Sequence, residues 1–221
     1  MRDNNIMKKK LAIFDMDGTI LDTLDDLTDS INYALSYCGF PEHTKDDVRR
    51  FVGNGILNLV KRSVPINVGK EDIEKVFQIF KGYYTLHCRD KTRPYSGIVD
   101  VIKTLKEKGY LIAVVSNKAD FAVQELCQIY FSGLIDYAVG EREGIKKKPA
   151  PDSVMSVMKA LDVRPEESIY IGDSEVDIET AKNAGICCIT VTWGFRDYEY
   201  LKQCGADVFA HKADEIIDLL I

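Results

Sequence analysis

Short apolar runs of strand length alternate with segments of helical periodicity along most of this chain, a pattern that few fold classes accommodate. The runs are rich in β-branched or aromatic residues, and they are Leu11–Phe14, Leu111–Val115, Tyr137–Val139, Ser168–Ile171 and Cys187–Val191. Between them, apolar residues recur at helical spacing, for example Ile98, Val101, Ile102 and Leu105. Apolar strands that alternate with helices predict an α/β fold with a doubly wound parallel sheet, covered by helices on both faces.

One stretch, residues 21–93, departs from this alternation. It keeps a helical period without a convincing strand, as in the set Leu24, Leu27, Ile31 and Leu35. The chain returns to the alternating pattern through a turn-rich segment, Arg93-Pro94-Tyr95-Ser96-Gly97. The sequence therefore predicts two domains, a core of residues 8–20 and 94–221 and an inserted all-helical domain of residues 21–93.

The overall charge is acidic, which argues against several kinds of partner. The formal net charge of the 221 residues is −6. Such a chain offers no broad basic surface to nucleic acid or to an anionic membrane. A phosphorylated ligand would therefore have to be held by positive charge concentrated at one place, by a metal ion or a few lysines.

Targeting features favour a cytoplasmic location. The first ten residues are polar and unlike a signal peptide, and no segment approaches the ~20 apolar residues of a membrane span. The six cysteines form no CxxC pair, and Cys187 and Cys188 fall in a predicted strand, where buried thiols are expected. We therefore expect a reduced, cytoplasmic protein, and the sequence does not indicate its oligomeric state.

Two carboxylates follow the first predicted strand, in the segment Phe14-Asp15-Met16-Asp17-Gly18-Thr19. Carboxylates at the end of a buried apolar strand cost desolvation free energy, and this cost is expected to be offset by binding a cation or by a role in a reaction. Ligands of open α/β sheets gather at the carboxyl ends of the strands, which is where Asp15 and Asp17 would lie. Taken alone, the pair fits a polar strand end with a solvated turn as well as it fits a binding or catalytic site.

Two further segments are candidates for binding phosphate. Ser116 and Asn117 follow the second predicted strand, where backbone N–H groups could hold phosphate oxygens or simply begin a helix. Lys148 precedes Pro149, which restricts the backbone and so fixes where the lysine points. Its ammonium could screen a carboxylate from a phosphate, or it could belong to a solvated lysine run.

Carboxylates also follow the fourth predicted strand, in Gly172-Asp173-Ser174 and at Asp177. Asp173 and Ser174 could bind a cation or cap a helix. Carboxylate oxygens, together with those of a phosphate, are the ligands that Mg²⁺ prefers. For all these groups to meet, the first strand must lie between the second and the fourth.

In their order and spacing, four segments resemble the four motifs of the haloacid dehalogenase superfamily. They are Asp15-Met16-Asp17-Gly18-Thr19, Ser116-Asn117, Lys148-Pro149-Ala150-Pro151-Asp152 and Gly172-Asp173-Ser174 with Asp177. The resemblance covers residues 11 to about 209 and implies a Rossmann-like core, with the helical insertion as the C1 cap of this superfamily. Three other segments resemble phosphoglycolate phosphatases, and they are Phe51-Val52-Gly53-Asn54-Gly55, Pro94-Tyr95-Ser96-Gly97 and Thr192-Trp193-Gly194-Phe195.

The resemblance implies catalytic roles for four residues. Asp15 would attack phosphorus and bind Mg²⁺, and Asp17 would act as general acid and base while its main-chain carbonyl touches the metal. Thr19 would steady Asp17, and Lys148 would offset the charge between Asp15 and the phosphate. The chemistry agrees, because positioning and electrostatics supply most of the catalysis in phosphoryl transfer.

The resemblance also implies the binding residues around this centre. Ser116 and Asn117 would hold phosphoryl oxygens, and Asp173 would be the second metal carboxylate. Gly172, Ser174 and Asp177 would form the outer shell of the metal site, or Asp177 would orient Lys148.

In the predicted helical insertion, the loop Gly53-Asn54-Gly55 is a candidate substrate contact, although Asn-Gly is also a common plain turn. Tyr83, Tyr84 and His87 are interpreted as part of the core and rim of this insertion rather than as substrate contacts.

The expected function is hydrolysis of a small phosphorylated metabolite, such as phosphoglycolate. Asp17 argues against dehalogenation, because a leaving halide needs no proton whereas an alkoxide does. A β-phosphoglucomutase-like mutase, a pyrophosphatase and a nucleotidase of the same superfamily remain alternatives. A receiver-like signalling module is disfavoured, because such a module is about half as long and has no cap.

Overall fold

The computed structural model describes residues 9–53 and 55–220 of the chain. Numbered in chain order, the strands are β1 Leu11–Phe14, β2 Leu21–Asp22, β3 Arg93–Pro94, β4 Leu111–Ala119, β5 Tyr137–Glu141, β6 Ser168–Gly172, β7 Cys187–Val191 and β8 Phe209–Ala210. Six of them form one sheet in the order β5-β4-β1-β6-β7-β8, and every neighbouring pair is parallel. The predicted doubly wound sheet is therefore confirmed, with β1 between β4 and β6.

Ten α-helices accompany these strands in the described part of the chain. They are α1 Leu24–Tyr37, α2 Lys45–Phe51, α3 Ile56–Ser63, α4 Lys70–His87, α5 Ile98–Glu107, α6 Asp120–Tyr130, α7 Asp152–Ala160, α8 Glu175–Ala184, α9 Tyr198–Gln203 and α10 Glu215–Leu220. We call α1–α4 the cap, and the six-stranded sheet with α5–α10 the core. None of these ten helices is long and apolar enough to cross a membrane.

The central strand β1 is buried on both of its faces. Ala12 and Phe14 join an apolar cluster with α5, α6 and α10, whereas Leu11 and Ile13 join a second cluster with α7 and α8. Successive residues of a strand point to opposite faces, so a strand covered on both sides needs an apolar residue at every position. Packing on both faces fixes β1 and, with it, the start of the segment that carries Asp15.

The cap has an apolar cluster that also includes Phe195 of the core, and it joins the core through two neighbouring linkers. The linkers contain β2 and β3, which pair antiparallel as a short ribbon. Beside the ribbon, the buried carboxylate of Asp26 accepts hydrogen bonds from the backbone N–H of Lys91 at 2.9 Å and of Thr92 at 2.8 Å. Strands of two residues are too short to show a period, which is why the sequence did not predict them.

Two local features differ from the sequence-based expectation. Strand β4 does not end at Val115 but continues, after an irregularity in its register, to pair Ala119 with Glu141 of β5. All six cysteines, which lie in the described part of the chain, are free thiols, but Cys187 is exposed and Cys188 is only partly buried. Cys187 is the first residue of β7, and burial increases from there along the strand.

Candidate active site

The predicted catalytic segments meet at the carboxyl edge of the sheet, around one cavity. Because neighbouring strands are parallel, the residues that follow them emerge at the same edge. The cavity has a volume of about 80 Å³ and is lined by residues of both core and cap. Nine predicted site residues line it, and they are Asp15, Asp17, Gly53, Gly55, Ser116, Asn117, Lys148, Asp173 and Ser174. Asn54 lies outside the described residues.

Lys148 supplies a buried positive charge next to Asp15. Its Nζ lies 2.9 Å from Oδ1 of Asp15 and 2.7 Å from Oδ1 of Asp177, and it donates to the hydroxyl of Tyr170 at 2.9 Å. Burial would lower the pKa of Lys148, but the charges of Asp15 and Asp177 outweigh this effect and hold the pKa well above its ordinary value. Lys148 is therefore positively charged at neutral pH.

Asn117 fixes the backbone of Lys148. Its side-chain carbonyl accepts from the Lys148 N–H at 2.9 Å, and its side-chain amide donates to the Lys148 carbonyl at 3.0 Å. A contact of Asn117 with a phosphoryl oxygen is therefore best supplied by its backbone N–H. Ser116 differs, because its Oγ accepts from the Lys118 N–H at 3.2 Å and its hydroxyl hydrogen remains available to a ligand.

Thr19 contacts Asp173 instead of Asp17. Its hydroxyl donates to Oδ1 of Asp173 at 3.1 Å, and the backbone N–H of Phe195 donates to Oδ2 at 2.7 Å. The expected contact between Thr19 and Asp17 is replaced by this one because the turn after β1 places Thr19 beside the end of β6. Both oxygens of Asp173 are thus oriented by hydrogen bonds.

Asp177 lies behind the cavity and connects Lys148 to the start of α8. Its Oδ2 accepts from the hydroxyl of Ser174 at 2.6 Å and from the Ser174 N–H at 3.2 Å. Ser174 is the N-cap of α8, and the two side chains form a capping box. Gly172 permits this packing, because a Cβ at that position would lie 2.3 Å from the Cβ of Asp177.

Three carboxylates share this site with one ammonium, and their donor set fits a divalent metal ion. One oxygen from each of Asp15, Asp173 and Asp177 lies within 4.8 Å of the other two. Burial, and then the charge of Asp177, raises the pKa of Asp15 to about 7. Burial, and then the charges of Asp177 and Asp15, raises the pKa of Asp173 well above its ordinary value. A cation that prefers oxygen ligands, such as Mg²⁺, would stabilise these carboxylates as anions.

Asp17 binds a second lysine that the sequence analysis did not single out. Its Oδ1 lies 2.9 Å from Nζ of Lys118, which also donates to the hydroxyl of Tyr84 in α4. Lys118 is 4% exposed, and a lysine that continues an apolar strand directly after Ser116 and Asn117 was the available signal. Tyr84, which was expected in the core or rim of the cap, lines the cavity.

Arg196, which follows β7, ties the core to the cap loop that carries Gly53. Its guanidinium donates to the carbonyl of Val52 at 2.7 Å and to that of Arg49 at 3.3 Å, and it pairs with Glu175 at 2.8 Å. No local pattern marks this arginine in the sequence, because its cap partners lie more than 140 positions earlier.

Comparison with known proteins identifies a consistent set of relatives. The family model of the haloacid dehalogenase-like hydrolases matches residues 12–191. The chain is 32% identical over 193 residues to phosphoglycolate phosphatase 1 of Pseudomonas aeruginosa, covering 84% of this chain and 70% of that protein. It is 31% identical over 221 residues to a phosphoglycolate phosphatase of Vibrio vulnificus, covering 96% of each. A crystal structure of a provisionally assigned phosphoglycolate phosphatase from Lactobacillus delbrueckii subsp. bulgaricus superposes with a TM-score of 0.94 at 40% identity, over 97% of this chain and 99% of the other.

Proposed function

This chain belongs to the haloacid dehalogenase-like hydrolases, and we propose that it is a Mg²⁺-dependent phosphatase that works through an aspartyl-phosphate on Asp15. The observation that carries the proposal is the difference in surroundings between the carboxylates of Asp15 and Asp17. Both side chains line the cavity, but Asp15 is buried against the Lys148 ammonium, whereas Asp17 is partly exposed and pairs with Lys118. A fixed nucleophile and a separate proton donor at one cavity are what hydrolysis of a phosphate monoester through a covalent intermediate requires.

The proposed substrate is a small phosphorylated metabolite of the phosphoglycolate type. The relatives that support this are named phosphoglycolate phosphatases and match most of the chain. The cavity of about 80 Å³ suits a small ester, and its cap side is largely apolar, with Leu27, Val52, Ile56 and Leu59. A metabolite of this kind is consistent with the expected cytoplasmic location and does not require nucleic acid or a membrane as a partner.

The covalent step would begin at Oδ2 of Asp15. Among the described residues, the Met16 N–H at 2.7 Å and Lys148 both bond to Oδ1, which leaves Oδ2 for attack. As Oδ2 bonds to phosphorus, the bond from phosphorus to the leaving oxygen breaks, and Asp17, which enters this step as the protonated acid, transfers its proton to that oxygen and becomes the carboxylate that pairs with Lys118. Asp17 then takes a proton from water, whose oxygen displaces Asp15 from phosphorus. Inorganic phosphate is released and the Asp15 carboxylate is restored.

The remaining residues would bind and orient the phosphoryl group. Lys148 offsets the repulsion between Asp15 and the phosphate, and the Ser116 hydroxyl and the Asn117 backbone N–H donate to phosphoryl oxygens. Bound Mg²⁺, held by Asp15, Asp173 and the main-chain carbonyl of Asp17, would neutralise charge on the phosphoryl group. Thr19 contributes by orienting Asp173, which replaces the role first expected for it.

A substrate panel tests the proposal directly. With Mg²⁺ present, phosphate release should be most efficient, measured as kcat/KM, with 2-phosphoglycolate among 2-phosphoglycolate, a hexose 1-phosphate, a nucleoside monophosphate and pyrophosphate. The hexose and nucleoside compounds are larger than 2-phosphoglycolate and would contact the apolar cap wall through polar groups, whereas pyrophosphate is of similar size but would bring a second charged phosphate to that wall. Conversion of the hexose 1-phosphate to its 6-phosphate without phosphate release would instead support a mutase. Preference for either of the last two compounds would support a nucleotidase or a pyrophosphatase.

The cap loop is proposed to select the substrate, and Gly53→Ala tests this role. Gly53 has φ +123°, and a Cβ there would lie 2.8 Å from Nη2 of Arg196, so the substitution strains the loop and displaces the arginine. We expect kcat/KM for the natural ester to fall by about tenfold or more, with a much smaller change for acetyl phosphate, which reaches little of the cap.

The matched control for this variant is Gly39→Ala in the cap. Gly39 also has a positive φ, +75°, but a Cβ there meets no atom within 4 Å. It should therefore lose a comparable amount of thermal stability and keep its selectivity. A parallel loss for both substrates in Gly53→Ala would mean that the loop acts on the chemical step and not on substrate choice.

A further inference from the structure

We propose that Lys118 and Tyr84 are positioning residues for Asp17, and that they hold its carboxylate most firmly while the cap lies against the core. The inference rests on the proposed function, because it assigns partners to the proposed acid–base group. The Lys118 Nζ lies 2.9 Å from Oδ1 of Asp17 and donates to the Tyr84 hydroxyl. One ammonium thus connects a carboxylate of the core to a hydroxyl of the cap.

Both positioning residues are held firmly. Lys118 and Tyr84 are each 4% exposed. The Tyr84 ring stacks on Phe80, with centroids 5.2 Å apart, inside the apolar cluster of the cap. The Lys118 Nζ also lies 4.8 Å from the centroid of the Tyr84 ring, within the range of a cation–π contact. The hydroxyl therefore moves only when the cap helix that carries it moves.

The position of the cap decides how strongly Lys118 holds Asp17. With the cap in place, the ion pair is shielded from water, and an ion pair in such surroundings is stronger than an exposed one. If the cap moves away about the β2–β3 ribbon, Lys118 loses the Tyr84 hydroxyl and water reaches the pair. Asp17 is then free to adopt other side-chain orientations.

Lys148 and the nucleophile do not depend on the cap in this way. All three hydrogen-bonded partners of the Lys148 ammonium belong to the core, so cap movement leaves them unchanged. The core alone therefore arranges the attack on phosphorus, and the closed cap completes proton transfer to the leaving oxygen. An open enzyme would react with esters that have good leaving groups and would discriminate against alkyl phosphates.

The test is Tyr84→Phe, which removes the hydroxyl and keeps the ring in the cap cluster. Acid–base catalysis is worth ~10²–10⁴-fold, so partial loss of its positioning should lower the rate of Asp15 phosphorylation by an alkyl phosphate by about tenfold. Phosphorylation by p-nitrophenyl phosphate, whose leaving group needs little proton transfer, should change by less than about threefold. Both rates are measured in single-turnover experiments, and KM for the alkyl ester should stay within about twofold.

Two further variants separate this role from a structural one. Tyr83→Phe, at the neighbouring position of α4, removes a hydroxyl that does not line the cavity and should leave both rates unchanged. In an Asp17→Asn background, which itself should lose most of the alkyl-phosphate rate, adding Tyr84→Phe should cause no further loss. Residues that act through the same group are not additive.

The outcomes distinguish this inference from the proposed function. Equal losses for both leaving groups in Tyr84→Phe, no loss for either, or a full additional loss in the Asp17→Asn background would overturn the positioning role while leaving the phosphatase intact. A parent enzyme that releases no phosphate from any ester with Mg²⁺ present would overturn both.

Discussion

Replacing Asp15 by asparagine is expected to stop turnover, lowering kcat by at least about 10³-fold. The amide keeps the shape of the side chain but cannot attack phosphorus, and it removes an anionic ligand from the proposed metal site. Burial, and then the charge of Asp177, raises the pKa of Asp15 from 3.8 to about 7, so this carboxyl lowers stability progressively as the pH rises from 3.8 to about 7 and lowers it in full above pH 7. At pH 8 without metal, the melting temperature of the variant should therefore not fall below that of the parent.

The control for Asp15→Asn is Asp100→Asn, which makes the same change at an exposed carboxylate in the first turn of α5. It should retain full activity. Parent enzyme quenched in acid during turnover should carry a phosphoryl group on the peptide that contains Asp15, as seen by mass spectrometry, and the Asp15→Asn variant should not. Activity in the variant within tenfold of the parent would contradict the assignment of the nucleophile.

Removing divalent metal with a chelator is expected to reduce phosphatase activity to background, and Mg²⁺ should restore it. Without a cation, the buried carboxyls either repel a phosphate ester as anions or take up protons, and a protonated Asp15 cannot attack phosphorus. Ca²⁺ should restore little activity, because it prefers more ligands at longer distances. Full activity in excess chelator, or equal rates with Ca²⁺, would be incompatible with the proposed site.

Metal binding can also be measured without turnover. A metal that binds only the folded protein stabilises it by about 2.7 kcal/mol at one hundred times its Kd, so Mg²⁺ should raise the melting temperature of the parent. Asp173→Asn should lose most of this shift, and Asp100→Asn should keep it. If Mg²⁺ raised the melting temperature of Asp173→Asn as much as that of the parent, the metal would not bind at Asp173.

The elements that the sequence predicted well are those with local patterns. β1 has an apolar residue at each position because both of its faces are covered, and the carboxylates after β1 and β6 stand at the only edge where ligands of such a sheet gather. Asp15 and Asp173 then lie close together, because β1 and β6 are neighbouring parallel strands in the sheet.

The features that escaped prediction depend on contacts between distant segments. Thr19 and Asp173 are 154 positions apart, and nothing near Thr19 indicates which carboxylate it reaches. Lys118 and Tyr84 meet only because the cap packs over the end of β4, and neither segment by itself shows which partner its side chain contacts. The metal ligands, the catalytic roles and the limits of the two domains remain predictions.

Because β1 is the central strand, its folding during translation depends on strands that are synthesised much later. Leu11 pairs with Leu111 of β4 and with Ser168 of β6, so β1 leaves the ribosome long before either neighbour. At 5–20 residues per second, the wait for β6 is on the order of 10 s. The cap helices need no such partner, because they pack mainly on one another. The insertion should therefore collapse first during translation, while the apolar β1 segment stays unpaired and open to association with chaperones or with other nascent chains.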